Sequence, residues 1–424
     1  MDKHRHVGRN LIQNLAIILL SVSAALLFIW TYALSSKAGS SYLSNLLSPG
    51  IIAGETAAAP TRLTELPAPV ILAVTGKYGR SGNISLCTTD QEFAAPGSLL
   101  REALGSAGTP AACTEKDFRA ALNLTSVYCD FRTSLPLSLL GSLLGADDAP
   151  AAGSARRLLL SAGEDGARLY LTDGETYSCC TTRVTSSALS KLAGSYQLGS
   201  ASFAFELEGG ADLAPYSLLL TGAQPALPAL SAASAFSDSS ASLTALGFNP
   251  HTKSRYTEID GTDLIRDGDR TLRLRPDGRL LYDSGGDDAV QLSAAGETLT
   301  AEEAALGSYR LLTGLLSGGD SGPTLALCGM EQHGDARTLL FDYQLDGIPI
   351  RRSDGTPAAR ITLTGAVVSS LSLQVRQYSP TGGESLLLPL TQALAIANRH
   401  AGAELEICYT DSGSSGVSAG WLAD

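Results

Sequence analysis

The chain has 424 residues, with 30 Lys and Arg against 42 Asp and Glu and a formal net charge of −12. That length exceeds one small core and argues for two or three domains. The acidity argues against nucleic acid, or an anionic wall polymer, as the main partner.

Residues 1–10 carry Lys3, Arg5 and Arg9 and one acid, Asp2, and read as a cytoplasmic tail. Leu11 to Leu34 holds no charged residue, and its 24 residues (34 − 11 + 1) reach roughly 36 Å as a helix, enough for a hydrocarbon core of about 30 Å. This predicts an N-terminal transmembrane helix. The basic flank before it and the single Lys37 just after it put the N-terminus inside and the body outside, a single-pass protein of the cell membrane. A cleaved signal peptide is the alternative, since Ala33-Leu34-Ser35 would suit cleavage, but such apolar regions are shorter, about 7–15 residues. Ser21 and Ala25 lie one turn apart on one helix face. Small residues at that spacing let two helices approach in lipid, so this pair is the candidate helix–helix contact; simple tolerance of small residues is the alternative.

Residues 35–66, rich in Ser, Ala, Gly and Thr, read as a stalk. Residues 67–235 read as a first α+β region of the ectodomain. Val70–Val74 and Val127–Phe131 have strand character. Thr114-x-x-Asp117 is a capping box opening a helix through Leu124. Leu135–Leu144 predicts a helix with Pro136 in its first turn and Gly145 past its end. Arg156–Ser161 and Ala167–Thr172 predict paired strands around Glu164-Asp165-Gly166. A polar segment, about 223–242, is expected to separate this region from the next.

From there the chain states one pattern twice, over 236–334 and 335–424. The first copy has strands ending at Leu274 and Tyr282, a helix opened by Thr300-x-x-Glu303 and running to about Leu316, and a strand at Thr324–Cys328. The second has strands at Ile361–Leu363 and Leu371–Tyr378, a helix from Pro389 to about His400, and a strand at Glu404–Tyr409. The offsets drift little: 89 residues from Leu274 to Leu363, 96 from Tyr282 to Tyr378, 80 from Leu325 to Leu405. The expectation is a duplicated hairpin–helix–strand module, each helix covering one face of a mostly antiparallel sheet, in an α+β fold. Two unrelated α+β segments that happen to align remain the alternative.

Catalytic motifs fail on inspection. Gly319-Asp320-Ser321-Gly322-Pro323 resembles a serine-protease loop over five residues, but His251, His333 and His400 sit in no matching motif. Gly416-Val417-Ser418-Ala419-Gly420 fits a nucleophile elbow, yet no helix can follow it before Asp424. Asp260, Asp263, Asp267 and Asp269 lack the ligand spacing of a calcium loop. The Asp-Gly pairs at 260–261, 267–268, 277–278, 346–347 and 354–355 read better as turns. The seven cysteines, Cys87, Cys113, Cys129, Cys179, Cys180, Cys328 and Cys408, form no CxxC pair and no disulfide framework. A redox role for adjacent Cys179 and Cys180 needs an electropositive setting that sequence does not show. No catalytic, cofactor-binding or metal residue is assigned, and no cofactor is called for.

GFNPHTKSRYTEIDGTDLI, RTLRLRPDGRLLY, FDYQLDGIPI and LPLTQALAIANRHAGAELEICY with Trp421 resemble the YycH/YycI family of Firmicutes, closest to YycH. VYCDFRTSLPLSLLGSLLG and ARLYLTDGETYSCC look like the first ectodomain of that family, so the resemblance covers most of the chain. It implies a non-enzymatic, extracytoplasmic regulator of a sensor histidine kinase of the WalK/YycG type that adjusts cell-wall metabolism. It also implies a YycI-like protein and the lipid bilayer as partners. An anchored binding module for a wall fragment or peptide is the second expectation.

Overall fold

The computed structural model describes residues 60–196, 199–234, 239–249, 254–285, 290–293, 298–316 and 323–424. The apolar span, the stalk up to residue 59, Ser21, Ala25, His251 and Ser321 lie outside them. Among the described residues no helix is long and apolar enough to cross a membrane.

The first half contributes β1 (Pro69–Gly76), β2 (Gly79–Cys87), β3 (Ala111–Ala112), β4 (Ser126–Pro136), β5 (Ser154–Gly163), β6 (Gly166–Thr172) and β7 (Tyr177–Thr181). They form one antiparallel sheet in the order β2-β1-β4-β5-β6-β7-β3. Helices α1 (Gln91–Gly105), α2 (Glu115–Leu122), α3 (Leu137–Leu144) and α4 (Ser186–Ala193) belong to this half. Thr114 and Asp117 close the capping box that starts α2. Gly145 ends α3 at φ 77°, a conformation that costs any residue with a Cβ. A short hairpin, β8 (Ala201–Phe203) and β9 (Leu218–Leu220), follows.

The second half contributes β10 (Pro228–Ser234), β11 (Arg255–Thr257), β12 (Asp263–Asp267), β13 (Arg270–Leu274), β14 (Arg279–Asp283), β15 (Thr324–His333), β16 (Ala336–Leu345) and β17 (Ile348–Arg352). It continues with β18 (Ala359–Thr364), β19 (Val367–Gln374), β20 (Arg376–Glu384), β21 (Leu405–Asp411) and β22 (Gly416–Ala423). Its helices are α5 (Ser239–Ala245), α6 (Ala301–Leu315) and α7 (Leu390–Ala397). These strands make one large sheet with two limbs that meet at β16. One limb runs β11-β12-β13-β14-β19-β18 and joins β16 through Ala336–Phe341. The other runs β17-β21-β22-β10-β20 and joins β16 through Tyr343–Leu345. β15 pairs along β16. Every pair is antiparallel except β17 with β21, so the fold is α+β with mostly antiparallel sheets.

Helix α6 shows why the sequence folds this way. Thr300 and Glu303 cap it reciprocally, and Ala304, Ala305, Ser308, Tyr309, Leu312 and Leu315 form its buried stripe at helical spacing. Tyr309 meets Phe341 of β16 at 6.4 Å between ring centroids. Burying side chains such as Leu312 contributes about 1.5–3 kcal/mol each.

Three details depart from the sequence reading. The polar segment 223–242 is not only a separator, because residues 228–234 form β10 inside the second sheet. Leu371–Tyr378 is two strands, since β19 ends at Gln374 and Tyr378 lies in β20. Helix α7 stops at Ala397, and Ala393, Leu394 and Ala397 pack on Ala204, Leu213, Leu219 and Leu405. Leu405 belongs to β21, and Trp421 and Ala423 of β22 pack against the same cluster, so α7 rests between the large sheet and the β8–β9 hairpin.

Candidate functional site

The two sheets share one continuous apolar core, from Leu63 to Ala419. Where β4 meets β15, β17 and β21, charge enters it. The cause is a wide bulge in β4. Asp130 opposes Arg157 and Leu135 opposes Ala155, so residues 131–134 face Arg156 alone. Arg132 sits in that bulge at φ 64°, a strained conformation for a side chain larger than glycine. The Arg132 backbone N–H donates to Asp130 Oδ1 at 2.7 Å, which locks the bend.

From the bulge, Arg132 reaches the other sheet. Its Nη1 donates to Glu406 Oε2 at 2.6 Å and its Nη2 to the Ile84 carbonyl at 2.9 Å. Arg351 of β17 donates to the other oxygen of Glu406 at 2.8 Å. Arg156 bridges Asp130 Oδ1 (2.8 Å) and Glu404, while Arg157 holds Asp130 Oδ2 at 2.9 Å. With Asp342, which acts on Arg351, four guanidiniums therefore face four carboxylates across the seam. Burial pushes the Asp130 carboxyl up, but Arg156 and Arg157 outweigh it and hold the group well below the usual carboxylate range. Burial likewise opposes Arg132 and Arg351 at Glu406, and the arginines win. At Asp342 burial wins, and its carboxyl is raised.

Cys328 is the extra residue of a β15 bulge, between the Leu327–Phe341 and Gly329–Leu340 pairs. Burial, then Asp342, pushes its thiol well up; burial raises Cys408 to about 12. Protonated thiols are poor nucleophiles.

The sequence-stated candidates lie elsewhere. Ser418 is exposed on β22 opposite Thr410, and a strand, not a helix, continues from it. The acids of the 260–269 stretch are occupied separately: Asp260 caps Thr262, Asp263 pairs Arg255, and Asp267 pairs Arg270. Gly261, Gly268, Gly278, Gly347 and Gly355 all have positive φ, as turns require. Among the described residues no group of three or more His, Cys, Asp or Glu could hold a metal. Cys179 and Cys180 point to opposite faces, and the thiol beside Cys179 is that of Cys113, just past the neighbouring β3. The seam residues were missed because they are 274 positions apart in sequence for Arg132 and Glu406. One signal was present: Asp130 interrupts the apolar run Val127–Phe131.

No protein-family model, no characterised protein and no solved structure matches the chain.

Proposed function

We propose that this chain is a membrane-anchored, extracytoplasmic regulator of a two-component sensor histidine kinase of the WalK/YycG type, acting with a YycI-like protein on cell-wall metabolism. The observation that carries the reading is the set of YycH/YycI-like words from residue 247 onward. They fall on strands of one sheet, the β13–β14 hairpin, the β16–β17 hairpin and β21, and on α7. In this reading Leu11–Leu34 is the anchor. The second sheet then descends from a duplicated module, β13-β14-α6-β15 and β18-β19-α7-β21.

In this reading the membrane helix is one route of influence on a kinase and contact outside is the other. The test is co-purification of the kinase with the full chain from detergent. Wild type should retain a histidine kinase; Ser21→Leu with Ala25→Leu should lose it, and Leu19→Ile should not. Retention by the double variant moves the contact to the ectodomain. A wild-type eluate without any histidine kinase overturns the reading. A muropeptide carried through purification, with no kinase in the eluate, would instead support the second reading, a binding module for a wall fragment or peptide.

A further inference from the structure

The two faces of the β12-β13-β14-β19-β18 limb differ in kind. One carries Ile265, Leu272, Leu280, Leu371 and Ile361, all buried in the core. The other is half-buried or exposed, and the strand register lays its side chains out in rows. One row runs Leu264, Arg273, Leu281, Ser372, Arg360. The row beside it holds Thr271, Asp283 and Ser370. Together they line an open groove of about 230 Å³, with Arg273 at one side and Arg360 at the other. Both arginines are exposed, and neither has a hydrogen-bond or ion-pair partner among the described residues. Asp283 is the one carboxylate among the lining residues, and it accepts from the Gly285 N–H at 3.1 Å. Two arginines against one aspartate leave the groove positive, in a chain whose net charge is −12. Three strand spacings of about 4.8 Å separate Arg273 from Arg360, roughly 14 Å in all.

We propose that this groove docks an extended acidic peptide segment of a partner protein, with one carboxylate at Arg273, an apolar residue over Leu281 and a second carboxylate at Arg360. The spacing selects the conformation. Four residues of extended chain advance about 13 Å and put side chains i, i+2 and i+4 on one face. In a helix, residues i and i+4 are only about 6 Å apart. An extended Glu-x-Leu-x-Glu segment crossing the strands therefore matches the row. Its carboxylates suit the planar fork of a guanidinium, which holds them bidentately. Ser370 and Ser372 add hydroxyls that can donate to the segment. The positive groove selects an acidic segment over a basic one. This does not depend on the regulatory reading.

The test titrates the full chain in detergent into dye-labelled Glu-Ala-Leu-Ala-Glu, followed by fluorescence anisotropy. Binding should be seen at low salt and weaken as sodium chloride is added. Gln-Ala-Leu-Ala-Gln and the shorter Glu-Leu-Glu should bind about fivefold more weakly, and so should the first peptide to Arg273→Ala or Arg360→Ala. Both positions are exposed, so these variants should unfold at the wild-type temperature. Arg273→Glu with Arg360→Glu should lose the acidic peptide and bind Lys-Ala-Leu-Ala-Lys, a gain that a folding defect does not produce. Equal affinity for the acidic and amide peptides, or for wild type and the alanine variants, overturns the proposal. Equal affinity for Glu-Leu-Glu also overturns it, since the face then takes any anion. Binding of phosphatidylglycerol vesicles without binding of the peptide overturns it too, and assigns the face to a lipid surface.

Discussion

Arg132 on β4 donates to Glu406 on β21 at 2.6 Å, joining the two sheets across 274 positions of chain. Both side chains are buried, 7% and 11% exposed. Removing one member of such a pair leaves the other charged and unpaired, which costs about 3–5 kcal/mol. Glu406→Gln should therefore destabilise the protein by that order, since it strands both Arg132 and Arg351. Arg132→Met with Glu406→Leu should recover the part due to Arg132, with Arg351 still unpaired. Urea midpoints of the three forms are the measurement; a double variant no better than Glu406→Gln would remove the pair from the account.

Acid should open the seam. Asp130 and Glu406 titrate below their ordinary values, and so does Asp411, where burial is outweighed by Arg376, the Gly413 N–H and Tyr378. A depressed folded value means stability that is complete above the unfolded carboxylate pKa, about 4, and is lost as pH falls through the folded one. Asp342 works the other way: raised by burial, it gains stability as it protonates. Three groups outnumber one, so the thermal midpoint should fall steadily below about pH 5. Asp342→Asn should raise it at pH 7. A midpoint flat between about pH 5 and pH 2 would contradict the pairings.

Two glycines with the same backbone should respond very differently to alanine. Gly347 and Gly355 have φ of 76° and 70°. A Cβ on Gly355 meets nothing within 4 Å, whereas on Gly347 it would lie 2.3 Å from the Leu86 nitrogen of the other sheet. Gly355→Ala should cost about 1–2 kcal/mol, the left-handed penalty alone. Gly347→Ala should cost clearly more, because the β16–β17 turn must withdraw from β2. Equal losses in a denaturant titration would show that the turn does not abut β2 in solution.

The thiols of Cys113, just past β3, and Cys179 of β7 are hydrogen-bond neighbours. Exchange with a small-molecule disulfide such as oxidised glutathione should join them, the two glutathione thiols leaving as the reduced product. The closed loop spans 66 positions (179 − 113), for a stabilisation of about 4 kcal/mol by chain entropy. Peptide mapping should find the 113–179 link and no 179–180 link. Cys180, with its thiol turned to the Leu169 carbonyl, should stay reduced.

What the sequence revealed was local. Thr114 with Asp117 and Thr300 with Glu303 announce two helices because a capping box acts over three residues. The Asp-Gly pairs announce turns because glycine tolerates positive φ. The seam was illegible for the opposite reason. Arg132 is aimed by a bulge whose size depends on how β4 pairs with β5, and its partner belongs to the penultimate strand. Nothing in residues 228–234 distinguishes a strand from a linker, because Ser and Ala dominate and Leu230 alone is large and apolar.

That same strand sets a schedule for the growing chain. Ser231 of β10 bonds Ser379 of β20, 148 positions later, and Leu230 pairs with Val417 of β22. At about 5–20 residues per second, roughly 7–30 s separate the synthesis of β10 from that of its first neighbour. Throughout that interval β10 has its own residues ready but no edge to join. A strand rich in valine or isoleucine would be prone to stray pairing while it waited. Small residues around a single leucine make β10 a poor template for the wrong partner, and its bland composition is suited to a strand that must be made early and used last.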